Sequence, residues 1–247
     1  MNREDIICPG ETIKELLETY NYTQDDLAKK LELNLKTVNE ILNGKAPITM
    51  ETAIKLEYIF NIDSSFWNNL EMNYRKEIMI YEEQKNADEQ YEIIKNTYKE
   101  MVKRNLVSDS KDKLEKVICF KKFMEITDLT QLKQIEELYA YRKANTDYNY
   151  LNLLVWIQIG VKKAREVQVK EFNKDLVLSK IDEIKGLSLL ENQELAREQL
   201  KKICADCGII LNYEKTMPNA AVFGVAKWLT PSKPFIGYSS KYMESSI

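Results

Sequence analysis

Apolar residues recur at helical spacing almost from the start of the chain. Ile13, Leu16, Leu17 and Tyr20 fall at i, i+3, i+4 and i+7, the stripe of an amphipathic helix that opens just after Pro9-Gly10. Asn21-Tyr22 interrupts it. Thr23 with Asp26 three residues on then has the form of a capping box, predicting a second helix with Leu27, Ala28 and Leu31 on its inner face. After a short turn at Leu33-Asn34, Asn34 caps a third helix. That helix buries Val38, Ile41 and Leu42, leaves Leu35, Lys36, Thr37, Asn39, Glu40 and Asn43 outside, and stops at Asn43-Gly44.

Further along, Tyr74, Ile78, Tyr81 and then Ile94, Tyr98 and Met101 keep near-helical intervals, predicting a long helix or helix pair. Glu82 with Lys85 and Glu92 with Lys95 sit three apart and support an exposed face. No clean heptad persists for three or four repeats, so packing within the chain is expected rather than a coiled-coil seam. Ser108-Asp109-Ser110 marks a boundary, followed by an apolar set at Leu114, Val117, Ile118, Phe120 and Phe123. Val155, Trp156, Ile159 and Gly160 place a tryptophan and a glycine one turn apart, which suits a tight contact between helices. After Leu189 a helix through Leu195, Leu200 and Ile203 precedes β-like runs at 209–213, 222–228 and 235–238. The predicted fold is mainly α, with an N-terminal five-helix domain over 1–80, a helical middle region over 81–188 and a small α+β domain over 189–247.

Composition agrees, since Gly (7) and Pro (5), the strongest helix breakers, are scarce. Apolar runs stay well short of the ~18 residues a membrane span needs, and the first residues lack the basic-then-apolar layout of an export signal, so a cytoplasmic protein is expected. The chain has no histidine, which excludes histidine-ligated metal chemistry. Cys8, Cys119, Cys204 and Cys207 are too few and scattered for a disulfide framework. Cys204-x-x-Cys207 is a lone pair inside a helical pattern and reads as packing rather than a metal or redox site. Neither catalytic residues nor a cofactor are expected.

Two short helices at a tight corner, the second polar outside, fit a DNA-reading helix-turn-helix. Residues 9–78 resemble the HigA family of antitoxin repressors, within the Cro/repressor-like superfamily. The resemblance rests on Pro9-Gly10, Thr23-Gln24, Leu27-Ala28, Asn43-Gly44-Lys45, Ile48-Thr49, Glu51-Thr52-Ala53, Phe66-Trp67 and Leu70. It implies that Gln24 approaches a phosphate or base at the groove edge. It also implies that Leu35, Lys36, Thr37 and Glu40 face the major groove, with Asn39 on the same outer side, and that Asn43 and Lys45 touch the backbone. Lysines suit phosphate or guanine acceptors, Thr37 either polarity, Leu35 a thymine methyl, and Glu40 a cytosine amine. Double-stranded operator DNA and a HigB-type ribonuclease toxin are the implied partners. Net charge is −3 overall, and residues 9–80 hold eight Lys/Arg against twelve Asp/Glu. An acidic unit binds DNA weakly alone, so a homodimer joining two half-sites is expected.

Tyr141-Arg142-Lys143 and Trp156-Ile157 resemble the helical linker of long HigA-type proteins. Gly208-Ile209, Gly224, Trp228 and Lys233-Pro234 resemble the front part of ImmA/IrrE zinc peptidases. In that family a His-Glu-x-x-His helix comes next, and this sequence ends at Ile247, about where the helix would begin. Apolar surface at Phe235, Ile236 and Tyr238 is therefore expected to be exposed, with oligomer formation or disorder near the C-terminus. Two alternatives stay open: a proteolytic regulator whose zinc-binding half lies on another chain, and a protein-binding module without DNA binding.

Overall fold

Capping side chains set the helix starts of the N-terminal unit, residues 1–88. It is one of two units in the computed structural model, which describes residues 3–137, 140–143 and 148–239. The first N–H groups of a helix lack partners within it, and a short polar side chain at the cap supplies one. Helix α1 (Pro9–Tyr20) opens with Cys8 Sγ accepting from Gly10 N at 3.4 Å and with Pro9 where no amide is needed. At α2 (Gln24–Leu31) the capping box is reciprocal. Thr23 Oγ1 accepts from Asp26 N at 3.1 Å, and Asp26 Oδ2 accepts from Thr23 N at 2.9 Å. Asn34 Oδ1 accepts from Thr37 N at 2.7 Å to start α3 (Leu35–Leu42), and Thr49 Oγ1 from Thr52 N at 3.2 Å to start α4 (Met50–Phe60). The fifth helix, α5 (Ser64–Lys103), is 40 residues long. The inner faces of α1 to α4 meet in one core of Ile13, Leu17, Leu27, Leu31, Val38, Leu42 and Leu56, closed by Trp67 from α5.

The second unit spans residues 89–247. Ile94, Tyr98 and Met101 of α5 join its core, as do Val117, Phe120 and Met124 of α6 (Lys113–Met124) and Leu132 of α7 (Gln131–Glu137). A four-stranded sheet follows the order β1-β3-β4-β2, from β1 (Ala140–Lys143), β2 (Ile210–Glu214), β3 (Val222–Thr230) and β4 (Lys233–Ser239). β1 and β4 pair antiparallel with β3, whereas β2 runs parallel to β4 in a register of Ile210 with Phe235. Helix α8 (Tyr150–Glu166) packs on β2, β3 and β4, and residues 151–161 are all buried, as an all-round apolar helix must be. Its buried donors find partners: Asn152 Nδ2 donates to Pro218 O at 2.7 Å, Trp156 Nε1 to Glu214 O at 3.2 Å and Gln158 Nε2 to Phe123 O at 3.3 Å, whereas Asn152 Oδ1 is buried without one among the described residues. Three further helices, α9 (Lys174–Ser179), α10 (Ile181–Leu187) and α11 (Gln193–Asp206), complete the unit, with α11 against β2.

The mainly helical fold with a small C-terminal sheet agrees with the sequence expectation; three details differ. Residues 140–143 form an edge strand rather than helical linker, because β3 offers them a partner at Ala140↔Ala226. Gly160 makes its close contact with a strand: an added Cβ would lie 2.8 Å from Phe235 Cζ. That contact leaves Phe235 only 1% exposed, so of the expected apolar surface Tyr238 is exposed (42%) and Ile236 half-buried. Disorder expected near the C-terminus falls on residues 240–247, outside those described.

Candidate nucleic-acid interface

The corner between α2 and α3 takes three residues. Glu32 closes α2 in the left-handed region at φ 57°, its N–H donating to Lys29 O at 3.3 Å while Leu33 N donates to Ala28 O at 3.0 Å. This two-bond ending satisfies the last carbonyls and turns half-buried Leu33 onto the core. A glutamate in that conformation costs about 1–2 kcal/mol. Lys55 of α4 sits over it, donating to Leu31 O at 3.1 Å and Glu32 Oε2 at 3.0 Å, with Glu51 at 3.0 Å. These carboxylates, Glu32 first and then Glu51, raise the Lys55 pKa above its ordinary value.

The far end of α3 is held as closely. A Cβ on Gly10 would lie 2.1 Å from Leu42 O, so the first turn of α1 rests on the backbone of the last turn of α3. Gly44 follows at φ +67°, where a Cβ would meet Tyr74 Oη at 2.4 Å and Cys8 Sγ at 2.8 Å. Arg75 Nη1 donates to Gly44 O at 2.9 Å while its Nε holds Glu71 Oε1 at 2.6 Å. The structural roles of Gly10, Lys55, Tyr74 and Arg75 escape the sequence reading; Arg75 could have been flagged by Glu71 four residues before it.

Clamped at both ends, α3 turns Val38, Ile41 and Leu42 inward and presents Leu35 (49% exposed), Lys36, Asn39 and Asn43 outward. The Lys36 side chain is 86% exposed and reaches Glu40 at 3.9 Å. Thr37 and Glu40 are half-buried at the edges of that face. Gln24 is the exposed first residue of α2, and Lys45 is exposed beyond the α3 end. The outer face thus offers a cation, amides and an apolar side chain, the groups that contact phosphates and base edges. Neighbouring positive charge is largely tied down, since Lys29 pairs with Asp25 at 2.6 Å and Lys14 with Glu11 at 2.7 Å. Among the described residues no group of three Cys, Asp or Glu side chains is arranged to hold a metal ion, and no helix is long and apolar enough to cross a membrane.

A two-helix corner with a rigidly mounted second helix defines a helix-turn-helix protein. The helix-turn-helix family model HTH_3 matches residues 13–67. The uncharacterised HTH-type transcriptional regulator YddM of Escherichia coli (strain K12) is 35% identical over 63 residues, 26% of this chain and 67% of that protein. Virulence-associated protein I of Dichelobacter nodosus is 32% identical over 74 residues, 30% of this chain and 68% of its own length. This chain therefore belongs to the HTH_3 helix-turn-helix family. Among solved structures, an antidote protein of the HigA family from Coxiella burnetii is 32% identical, covering 34% of this chain and 92% of its own (TM-score 0.31). The Pseudomonas aeruginosa antitoxin HigA, solved with the higBA promoter, is 30% identical, covering 32% and 88% (TM-score 0.31).

Proposed function

We propose that this chain is a DNA-binding transcriptional repressor of the HigA antitoxin type. It binds its own operator in the cytoplasm as a homodimer, inserts the outer face of α3 into the major groove, and neutralises a HigB-type ribonuclease toxin. The observation that carries this reading is the exposed row of Leu35, Lys36, Asn39 and Asn43 on a helix whose two ends are fixed by the surrounding unit. Gln24 and Lys45 are assigned to the flanking phosphates, and Thr37 and Glu40 to the edges of the groove contact. The acidic balance of residues 9–80 makes two half-sites necessary, because each unit brings few cations to the duplex.

A low-salt gel shift with the DNA upstream of the gene tests the reading. The wild-type chain shifts that duplex, and the Lys36→Ala/Thr37→Ala variant loses most of the shift. No shift by the wild type, or an unaltered one by the variant, refutes the assignment. Toxin neutralisation is checked separately, by recovery of RNA cleavage when the chain is withheld from the ribonuclease encoded beside it.

A second reading concerns the sheet of the second unit. Trp228 (52% exposed) and Tyr238 leave apolar surface uncovered, which supports an ImmA/IrrE-type fold completed by a zinc-binding part on another chain. Zinc-dependent cleavage that appears only on adding the product of a downstream reading frame with His-Glu-x-x-His supports it. Zinc-dependent cleavage by the 247-residue chain alone contradicts it.

A further inference from the structure

Two side-chain pairs run along the outer face of α3, each joining residues four apart. Lys36 Nζ lies 3.9 Å from Glu40 Oε1. Asn43 Nδ2 donates to the Asn39 backbone carbonyl at 2.7 Å and to Asn39 Oδ1 at 3.1 Å. The second pair restricts what Asn39 can offer. An asparagine amide has one acceptor oxygen and one donor nitrogen, and it reads adenine by placing both on the same base edge. With Oδ1 turned along the helix toward Asn43, the planar amide of Asn39 no longer faces a base with its oxygen and nitrogen at once, and Nδ2 is the group turned to the duplex.

We propose that Asn43 is a positioning residue that fixes Asn39 as a hydrogen-bond donor, so that α3 gives up the bidentate adenine contact and selects a base with a major-groove acceptor (guanine, thymine or adenine) over cytosine at the position Asn39 contacts. This rests on the DNA-binding reading above and adds the base chemistry of the operator to it. The neighbouring side chains share the polarity. Lys36 carries donors only and suits guanine O6 and N7. Leu35, exposed one position earlier, suits a thymine methyl. Glu40, which carries acceptor oxygens, is half-buried beside Lys36, and the hydroxyl of half-buried Thr37 serves either way. The cytosine contact that the sequence suggests for Glu40 is thereby disfavoured, and Asn43 changes from a backbone contact to the holder of Asn39.

Selection of binding sites from a randomised duplex library by the full chain tests this, with circular dichroism melts showing that each variant is folded. The wild type disfavours cytosine and shows no excess of adenine over guanine and thymine at one position of each half-site, and Asn39→Ala loses that discrimination at that position alone. Asn43→Ala frees Oδ1, so that Asn39 pairs bidentately and adenine rises there by roughly tenfold. Should Asn43→Ala fail to fold, Asn43→Asp serves instead. Its carboxylate accepts from Asn39 Nδ2, turns Oδ1 outward and moves the preference to adenine or cytosine. Folded Asn43 variants that keep the wild-type preference overturn the proposal, as does a wild-type adenine preference that Asn39→Ala erases. A folded wild type that recovers no preferred sequence refutes the DNA-binding reading itself, an outcome distinct from the other two.

Discussion

Gly10→Ala and Gly186→Ala are the same substitution in two helices, and the structure assigns them opposite signs. At Gly10 the new Cβ would stand 2.1 Å from Leu42 O, 2.4 Å from Leu42 C and 2.6 Å from Leu42 Cα. All three are backbone atoms of the last turn of α3, so no rotamer change relieves the overlap and α1 must move off α3. Overpacking of this kind costs up to about 3 kcal/mol, while alanine regains about 1 kcal/mol of helix propensity. The net loss is about 2 kcal/mol, roughly a 30-fold fall in the ratio of closed to open N-terminal unit. Gly186 lies within α10 with nothing inside 4 Å of a built Cβ, so only the propensity gain of about 1 kcal/mol remains. Native-state hydrogen exchange followed by mass spectrometry reads both sites in the full chain. Peptides covering α1 and α3 should lose protection in Gly10→Ala, and peptides covering α10 should gain it in Gly186→Ala. Equal gains in both variants would refute the close approach of α1 to α3.

Two further outcomes concern the second unit. Glu125 accepts from Arg165 at 2.5 Å and from Lys162 at 3.1 Å, and these cations, Arg165 first, hold its carboxyl at about 2 against an ordinary value of 4.5. A folded-state value below the unfolded one adds stability that is complete above pH 4.5 and is lost as pH falls toward 2. Urea titrations between those limits should show a steeper fall for the wild type than for Glu125→Gln, and equal slopes would contradict the pairing. Burial pushes the Cys204 thiol up to about 11 and raises Cys207 as well. Iodoacetamide at neutral pH should therefore leave both unmodified in the native chain and label them in urea; rapid native labelling of either would place it outside the core.

What could be read from the sequence was local. Thr23 with Asp26, and Asn34 with Thr37, are contacts three residues apart, so cap, corner and outward face of α3 all follow from spacing. The supports of that face could not be read this way. Gly10 meets Leu42, Lys55 meets Leu31 and Arg75 meets Gly44 at sequence separations of 24 to 32, and nothing in the local pattern names those partners. The second unit shows the same limit more strongly. Residues 151–161 are buried all round, so they carry no stripe to say which side faces the sheet, and Gly160 is matched to Phe235 only by the fold. Residues 140–143 become a strand because β3, some eighty positions later, pairs with them. The Asn39–Asn43 pair lies between these cases. Its spacing is visible in the sequence, but which amide atom each residue has left for a base depends on side-chain orientation, and that choice decides whether Asn39 reads adenine with both atoms or meets any acceptor base with one.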